Sequence, residues 1–240
     1  MEYKITEREG YKIYEFEFDG KNAIVCAPDA PAEGNPWLFK TEYFWAFPDF
    51  QNSMLKKGWH VAYVTNNTRW SCEADIIRRA NFCDFLIEEF KLDKKCVLVG
   101  MSCGGMQSVY FGARYPEYVK GMYIDAPVIN LLSCPFSVGR NNREFVEEFT
   151  NATGLTLKDL INYRKHPIDF VDDLIKNKIP VFMVCGDSDT VVPYDENGAA
   201  LAEKYRNSGV EFKEIIKVGC DHHPHSLEDN TPIIEWVERL

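Results

Sequence analysis

A chain of 240 residues, 45% hydrophobic and 14% aromatic, carries enough apolar surface for one large α/β domain. Its formal net charge of −10, with Lys and Arg dispersed among acids, excludes the concentrated basic surface that nucleic acid requires. The uncharged stretch 96–113 is too polar and too broken by Gly, Ser and Gln to span a membrane, so neither nucleic acid nor membrane is an expected partner.

Prolines and glycines are scattered, no segment repeats at a fixed period and no biased linker interrupts the chain, so residues 1–240 read as a single domain. The opening "MEYKITEREGYKIYEF" alternates charges and shows no secretory pattern. Eight cysteines form no C-x-x-C pair, and Cys26, Cys96 and Cys185 fall in strand-like runs. Buried thiols in a reducing compartment fit this usage, and a cytoplasmic location is the expectation.

In chain order, "YKIYEFEF" (11–18) alternates Tyr11 and Ile13 with Tyr14, Phe16 and Phe18. "KNAIVCAP" follows the turn-forming Asp19-Gly20 pair, which predicts an opening hairpin. Apolar runs at 59–65, 96–100, 121–126, 180–186 and 211–218 predict further strands. A helix is predicted over 73–91, with Ile76, Ile77, Ala80, Phe82, Phe85, Leu86 and Phe90 inward, and another over 195–207. Strands without polar alternation, separated by helices, define an α/β class with a mostly parallel central sheet flanked by helices. Helical patterns near 142–151, 156–164 and 167–177 predict a small helical cap inserted at about 127–178.

"VLVGMSCGG" (97–105) places Ser102 between Gly100 and Gly104, a G-x-S-x-G spacing between a buried strand and a helix start. Glycines at i−2 and i+2 allow the close backbone approach of a sharp strand-to-helix turn that holds the serine oxygen out above the sheet. A phosphate loop would end in G-K-[ST], which is missing here. The backbone amide of Cys103 is a candidate oxyanion donor; its side chain follows the apex, so packing is its expected role.

Beyond the strand at 180–186, "GDSDTVVP" offers Asp189 as the acid that orients an imidazole, with Asp187 and Asp125 as alternatives. After the last strand, "VGCDHHPHSL" offers His222 as the base, with His223 and His225 as alternatives. His223 precedes Pro224 and is biased to an extended backbone, while His225 reads as a helix cap or a surface residue. Ser102, Asp189 and His222 then follow the Ser…Asp…His chain order. Cys220 and the three histidines crowd one short loop with no second ligand pair at a familiar spacing, so neither metal nor cofactor is expected. A second oxyanion donor is sought in "APDAPAEGNPWLFK" (27–40): Pro36 has no amide hydrogen, and of Asn35, Trp37 and Leu38 the backbone amide of Trp37 is favoured, because Gly34-Asn35-Pro36 can form a tight approach.

"GMSCGG", "GDSDTVVP" and "GCDHHPHSL" together resemble the α/β-hydrolase superfamily, particularly bacterial esterase-like serine hydrolases, over nearly the whole chain. Those relatives carry a loop like "GNPWLFK", often with arginine at the position of Cys103 and glycine at that of Asp221. The resemblance implies the α/β-hydrolase fold and a cofactor-free serine esterase acting through an acyl-enzyme. Its nucleophile, acid and base would be Ser102, Asp189 and His222, and its substrate a small-molecule ester, short-chain or a carbohydrate acetyl ester. Leu131, Phe136 and Phe145 of the cap are candidates to line the acyl pocket. The alternatives are a peptidase of the prolyl-oligopeptidase type, weakened by the lack of a large N-terminal gating domain, and a binding protein that keeps the fold without turnover.

Overall fold

A computed structural model describes residues 2–139 and 143–240. In chain order its strands are β1 (Lys4–Arg8), β2 (Tyr11–Phe18), β3 (Lys21–Ala27), β4 (Trp37–Lys40), β5 (His60–Val64), β6 (Cys96–Met101), β7 (Val119–Asp125), β8 (Val181–Gly186) and β9 (Phe212–Lys217). They form one sheet in the order β1-β2-β3-β5-β4-β6-β7-β8-β9. The pairs β1–β2, β2–β3 and β3–β5 are antiparallel, and every pair from β5–β4 to β8–β9 is parallel. The result is an α/β-hydrolase fold.

The helices are α1 (Asp49–Lys56), α2 (Glu73–Glu89), α3 (Cys103–Arg114), α4 (Val146–Thr153), α5 (Leu157–Ile161), α6 (Val171–Lys176), α7 (Gly198–Arg206) and α8 (Thr231–Glu238). Cys96 and Leu98 of β6 join Phe82, Val109, Leu174 and Leu201 in the core on one face. Val97 and Val99 meet Phe50, Met54, Ile233 and Trp236 of α1 and α8 on the other. Successive side chains of a strand point to opposite faces, so a strand covered on both sides is apolar throughout. This accounts for the unbroken runs in β6 and β8. Among the described residues no helix is long and apolar enough to cross a membrane.

Several elements differ from the sequence expectations. β4 is a fully buried strand of four residues inside a segment expected to be a loop, and β1, α1 and α8 were not anticipated. On α2, Ile77 is 42% exposed. Ile76, about 100° round the helix from it, and Arg79, about 200° round and one turn on from Ile76, lie on the inward side. Arg79 is buried there because its guanidinium donates to Asn66 Oδ1 (2.5 Å) and Gln107 Oε1 (2.6 Å), tying α2 to α3. Within 127–178, Phe149 of α4 and Leu160 of α5 pack with Cys103 and Met106 above the start of α3, whereas Val171 and Leu174 of α6 belong to the sheet-facing core. The predicted helix over 142–151 is α4; Asn142 lies outside the described residues.

The turn from β6 into α3 is closed by direct backbone contact. A Cβ at Gly100 would overlap the Gly104 carbonyl oxygen and lie 2.5 Å from Ser108 Oγ, and one at Gly105 would lie 2.5 Å from Pro127 Cβ. Gly100→Ala is therefore expected to cost about 1–3 kcal/mol of stability through overpacking. Equilibrium urea denaturation of parent and variant checks this; superimposable midpoints would mean that the turn opens without cost.

Candidate active site

Ser102 sits at the apex of the β6–α3 turn with φ 55° and ψ −119°, outside the ordinary regions for a residue with a Cβ. Three backbone bonds hold it there. Its N–H donates to the Asp125 carbonyl (2.8 Å), and its own carbonyl accepts from Gly105 (3.0 Å) and Val128 (3.2 Å). Cys103 begins α3, so its amide is one of those that a helix leaves without an intrahelical acceptor, beside the Ser102 hydroxyl. Burial pushes the Cys103 thiol up to about 12, which keeps it protonated and agrees with a packing role.

The loops after β8 and β9 meet over the carboxyl ends of the strands. His222 Nε2 lies 3.1 Å from Ser102 Oγ, and His222 Nδ1 lies 2.7 Å from Asp189 Oδ2. His222 and Asp189 are both buried. The other carboxylate oxygen of Asp189 accepts the amides of Val191 (2.9 Å) and Val192 (2.7 Å), so the acid is fixed from both sides. Two further acids clasp the same loops. Asp187 Oδ1 accepts the Gly219 amide at 2.7 Å, and Asp221 Oδ1 accepts the Thr190 and His222 amides, each at 2.8 Å. Those amides hold the Asp221 carboxyl below its ordinary value. A Cβ at Gly186 would overlap the Cys220 carbonyl oxygen, so a side chain there would push the histidine loop away.

The alternative acid and bases have other partners. Asp125 Oδ1 is 2.7 Å from His225 Nδ1, and its Oδ2 accepts the Ser226 amide (2.7 Å) and the Tyr123 hydroxyl (3.3 Å). His225 is thus buried rather than a cap or a surface residue; α8 begins only at Thr231. His223 is exposed and stacks on Phe47, with ring centroids 5.6 Å apart.

Trp37 is misplaced by the sequence reading. It is the first residue of β4, level with the start of β6 because Leu38 pairs with Val97, whereas Ser102 follows the last residue of β6. At about 3.3 Å per residue the two are separated by roughly 20 Å, at opposite ends of the sheet. Asn35 and Leu38 lie at that same end. The Trp37 indole instead donates to the Asp93 carbonyl at 2.8 Å. The backbone beside Ser102 is the loop that follows β4. Asn66 Nδ2 fixes that loop by donating to the Thr41 carbonyl (2.8 Å) and to Glu42 Oε2 (2.7 Å), and a Cβ at Gly104 would touch Thr41 and Glu42 at 3.3 and 3.2 Å.

Ser102 opens into a cavity of about 430 Å³ whose walls include Tyr43, Phe47, Trp70, Phe145, Val191 and the three histidines. Arg69 closes one side by a two-point pair with Glu148 of α4 (2.7 and 2.8 Å). Of the three cap residues proposed for an acyl pocket, Phe145 lines this cavity; Phe136 packs on Phe149, and Leu131 lines a neighbouring recess.

The sequence also gave no hint of Lys40, which is buried beneath the loop after β4. Its ammonium donates to Gln51 Oε1 (2.8 Å) and the Ala46 carbonyl (3.1 Å) and touches Met101 Sδ (3.5 Å). Burial lowers its pKa to about 7, against the pull of the Asp125 carboxylate.

The fold and the Ser–His–Asp hydrogen-bond line together define an α/β hydrolase of the serine type. Residues 53–240 match the prolyl oligopeptidase family, and the chain belongs to that family of serine hydrolases. A Mycoplasma pneumoniae protein named as an esterase/lipase is 28% identical over 173 residues, 60% of this chain and 62% of that protein. A puromycin-hydrolyzing peptidase of Mycobacterium tuberculosis shares the fold with a TM-score of 0.75 at 15% identity, over 95% of this chain and 38% of that one. An α/β hydrolase from a metagenome of lagoon sediments at Mar Chica, Morocco, matches with a TM-score of 0.63 at 19% identity, over 94% of this chain and 98% of that one. The chain thus spans less than two thirds of the esterase/lipase and little more than a third of the peptidase.

Lys40 makes a checkable contribution to stability. Between about 7 and its ordinary 10.5 the unfolded chain holds this proton and the folded chain does not, so this group makes stability rise with pH across that window. Lys40→Met removes the contribution. Relative to the parent, its melting temperature should be highest near neutrality and fall by a few degrees by about pH 9.5. A parent–variant difference that stays constant with pH would place the Lys40 titration outside the window.

Proposed function

We propose that the protein is a carboxylic-ester hydrolase that works through an acyl-enzyme on Ser102, with a short-chain or carbohydrate acetyl ester as substrate. The observation that carries this is the unbroken line from Asp189 through His222 to Ser102 at the mouth of the cavity. Ser102 Oγ attacks the ester carbonyl while His222 Nε2 takes its proton. Asp189 holds the ring in the tautomer whose Nε2 can accept, and stabilises the imidazolium that forms. The oxyanion is held by the Cys103 amide, and the loop after β4, from which Tyr43 lines the cavity, replaces Trp37 as the segment that supplies a second donor. His222 returns the proton to the leaving alkoxide, and water then releases the acyl group by the same steps in reverse.

An ester is favoured over a peptide by the short motifs shared with esterase-like hydrolases and by the relative named as an esterase/lipase. The modest cavity suits a small substrate. The peptidase reading rests on the family match. A direct comparison separates them: p-nitrophenyl acetate and butyrate should be cleaved with kcat/KM at least about a hundredfold above that for aminoacyl and prolyl p-nitroanilides. The opposite order would establish the peptidase. Ser102→Ala should abolish both ester turnover and labelling by a fluorophosphonate while leaving the circular dichroism spectrum intact.

The acid is tested separately. Asp189→Asn should lower kcat by roughly 10³–10⁴-fold, as a mispositioned imidazole does, and Asp125→Asn, whose carboxylate serves His225, should cost less. The reverse ranking, from steady-state kinetics on the same ester, would give the role to Asp125.

A further inference from the structure

The histidine loop holds more imidazole than a proton relay uses. The rings of His222, His223 and His225 form a nearly equilateral triangle, with centroids 4.9, 4.8 and 4.9 Å apart and mutual tilts of 62°, 79° and 86°. One ligand nitrogen from each lies within 4.8 Å of the other two, and all three residues line the cavity that contains Ser102. Two of the three are oriented in the way metal-ligating histidines are. His222 is held through Nδ1 by Asp189, and His225 through Nδ1 by Asp125, at 2.7 Å each. A carboxylate on Nδ1 fixes the proton there and leaves Nε2 with its lone pair free to ligate. Phe47 backs the third ring by stacking on His223 and meets His225 edge-on at 5.2 Å.

We propose that His222, His223 and His225 form a reversible inhibitory site for a zinc-class divalent ion, whose binding takes the lone pair of His222 Nε2 away from Ser102. The site rests on the hydrolase reading above, as a regulator of the same base. Imidazole nitrogens bind zinc at about 2.0–2.1 Å, which in a tetrahedral set puts the nitrogens about 3.3 Å apart. From the observed spacing each ring needs to move inward by less than about 1 Å, and the exposed His223 has room to do so. Three nitrogens and one open position suit zinc, copper or nickel; a magnesium ion, which takes oxygen ligands, has none to use here. No bond of the protein breaks: zinc takes the nitrogen lone pair, and the Ser102 hydroxyl keeps its proton because its acceptor is occupied.

The experiment uses the chelator-stripped protein and zinc chloride alone. Isothermal titration calorimetry should give one zinc per chain. Fluorophosphonate labelling of Ser102 should fall at least tenfold in saturating zinc, recover in EDTA, and be unaffected by magnesium chloride. His223→Ala should weaken zinc binding at least tenfold. It should also raise the ratio of its own labelling rate in zinc to its own rate in chelator towards one, a ratio independent of any change in basal rate. Cobalt(II) should bind without a thiolate charge-transfer band, since Cys220 is not in the set. Zinc inhibition that persists unchanged in His223→Ala, or a thiolate band, would overturn the site. A parent that labels normally and ignores zinc would overturn it too, while leaving the hydrolase reading intact. A parent that binds zinc in the calorimeter but never labels would sink the hydrolase reading and, with it, the inhibitory role, leaving only a three-histidine metal site.

Discussion

The hydrogen bond between Asp189 and His222 depends on two loops that have little regular structure of their own. Each is attached to a rigid parallel strand at one end, and what joins them is a set of carboxylates that bond to backbone amides rather than to one another. Asp187 reaches Gly219, Asp221 reaches Thr190 and His222, and Asp189 caps its own turn at Val191 and Val192 before meeting the imidazole. A charged acceptor on a backbone amide is a short and strong bond, and it leaves the side chain that makes it little freedom. The imidazole is therefore held in place by the protein itself, and such preorganisation is what the proposed proton relay requires.

The sheet does the rest by direction. β6, β7 and β8 are parallel and in register, so Met101, Asp125 and Val184 come to the same height and the loops that follow open on one edge. Close backbone approach at Gly100, Gly105 and Gly186 then holds the Ser102 turn and the histidine loop tight against that edge. None of these contacts involves a reacting atom. A methyl group at any of them would overlap the chain segment packed against it, so the packing of small residues and the geometry around Ser102 and His222 are one constraint.

Ser102, Asp189 and His222 are legible in the sequence because each lies within a few residues of the end of an apolar run that ends in or near glycine, a local signal that survives without knowledge of the fold. Trp37 was misread because β4 has four residues and follows a loop rich in Pro, Gly and Ala, too short a run to register as a strand. Once Trp37–Lys40 is recognised as the strand itself, the loop that faces the serine moves from before it to after it. Lys40 and Asp221 were illegible for a different reason. Their partners, Gln51 and Ala46 for one and Thr190 for the other, are brought to them by loop conformations that no periodicity encodes. His225 looked like a surface residue beside a helix start; what buries it is Asp125, a hundred residues earlier in the chain.

That last pair bears on why one histidine and not another stands against the serine. Asp189–His222 and Asp125–His225 have the same Nδ1–carboxylate distance and comparable burial, so the carboxylate alone does not distinguish a base from a bystander. The difference lies in what each acid is attached to. Asp125 ends β7 and passes its own carbonyl to the Ser102 amide, so its side chain is held at the floor of the site and carries His225 beside the serine rather than against it. Asp189 lies three residues beyond the end of β8, on a loop long enough to rise above the floor and deliver its imidazole to the hydroxyl. Height above the strand ends, set by the number of residues between strand and acid, is what separates two otherwise equal histidine–carboxylate pairs.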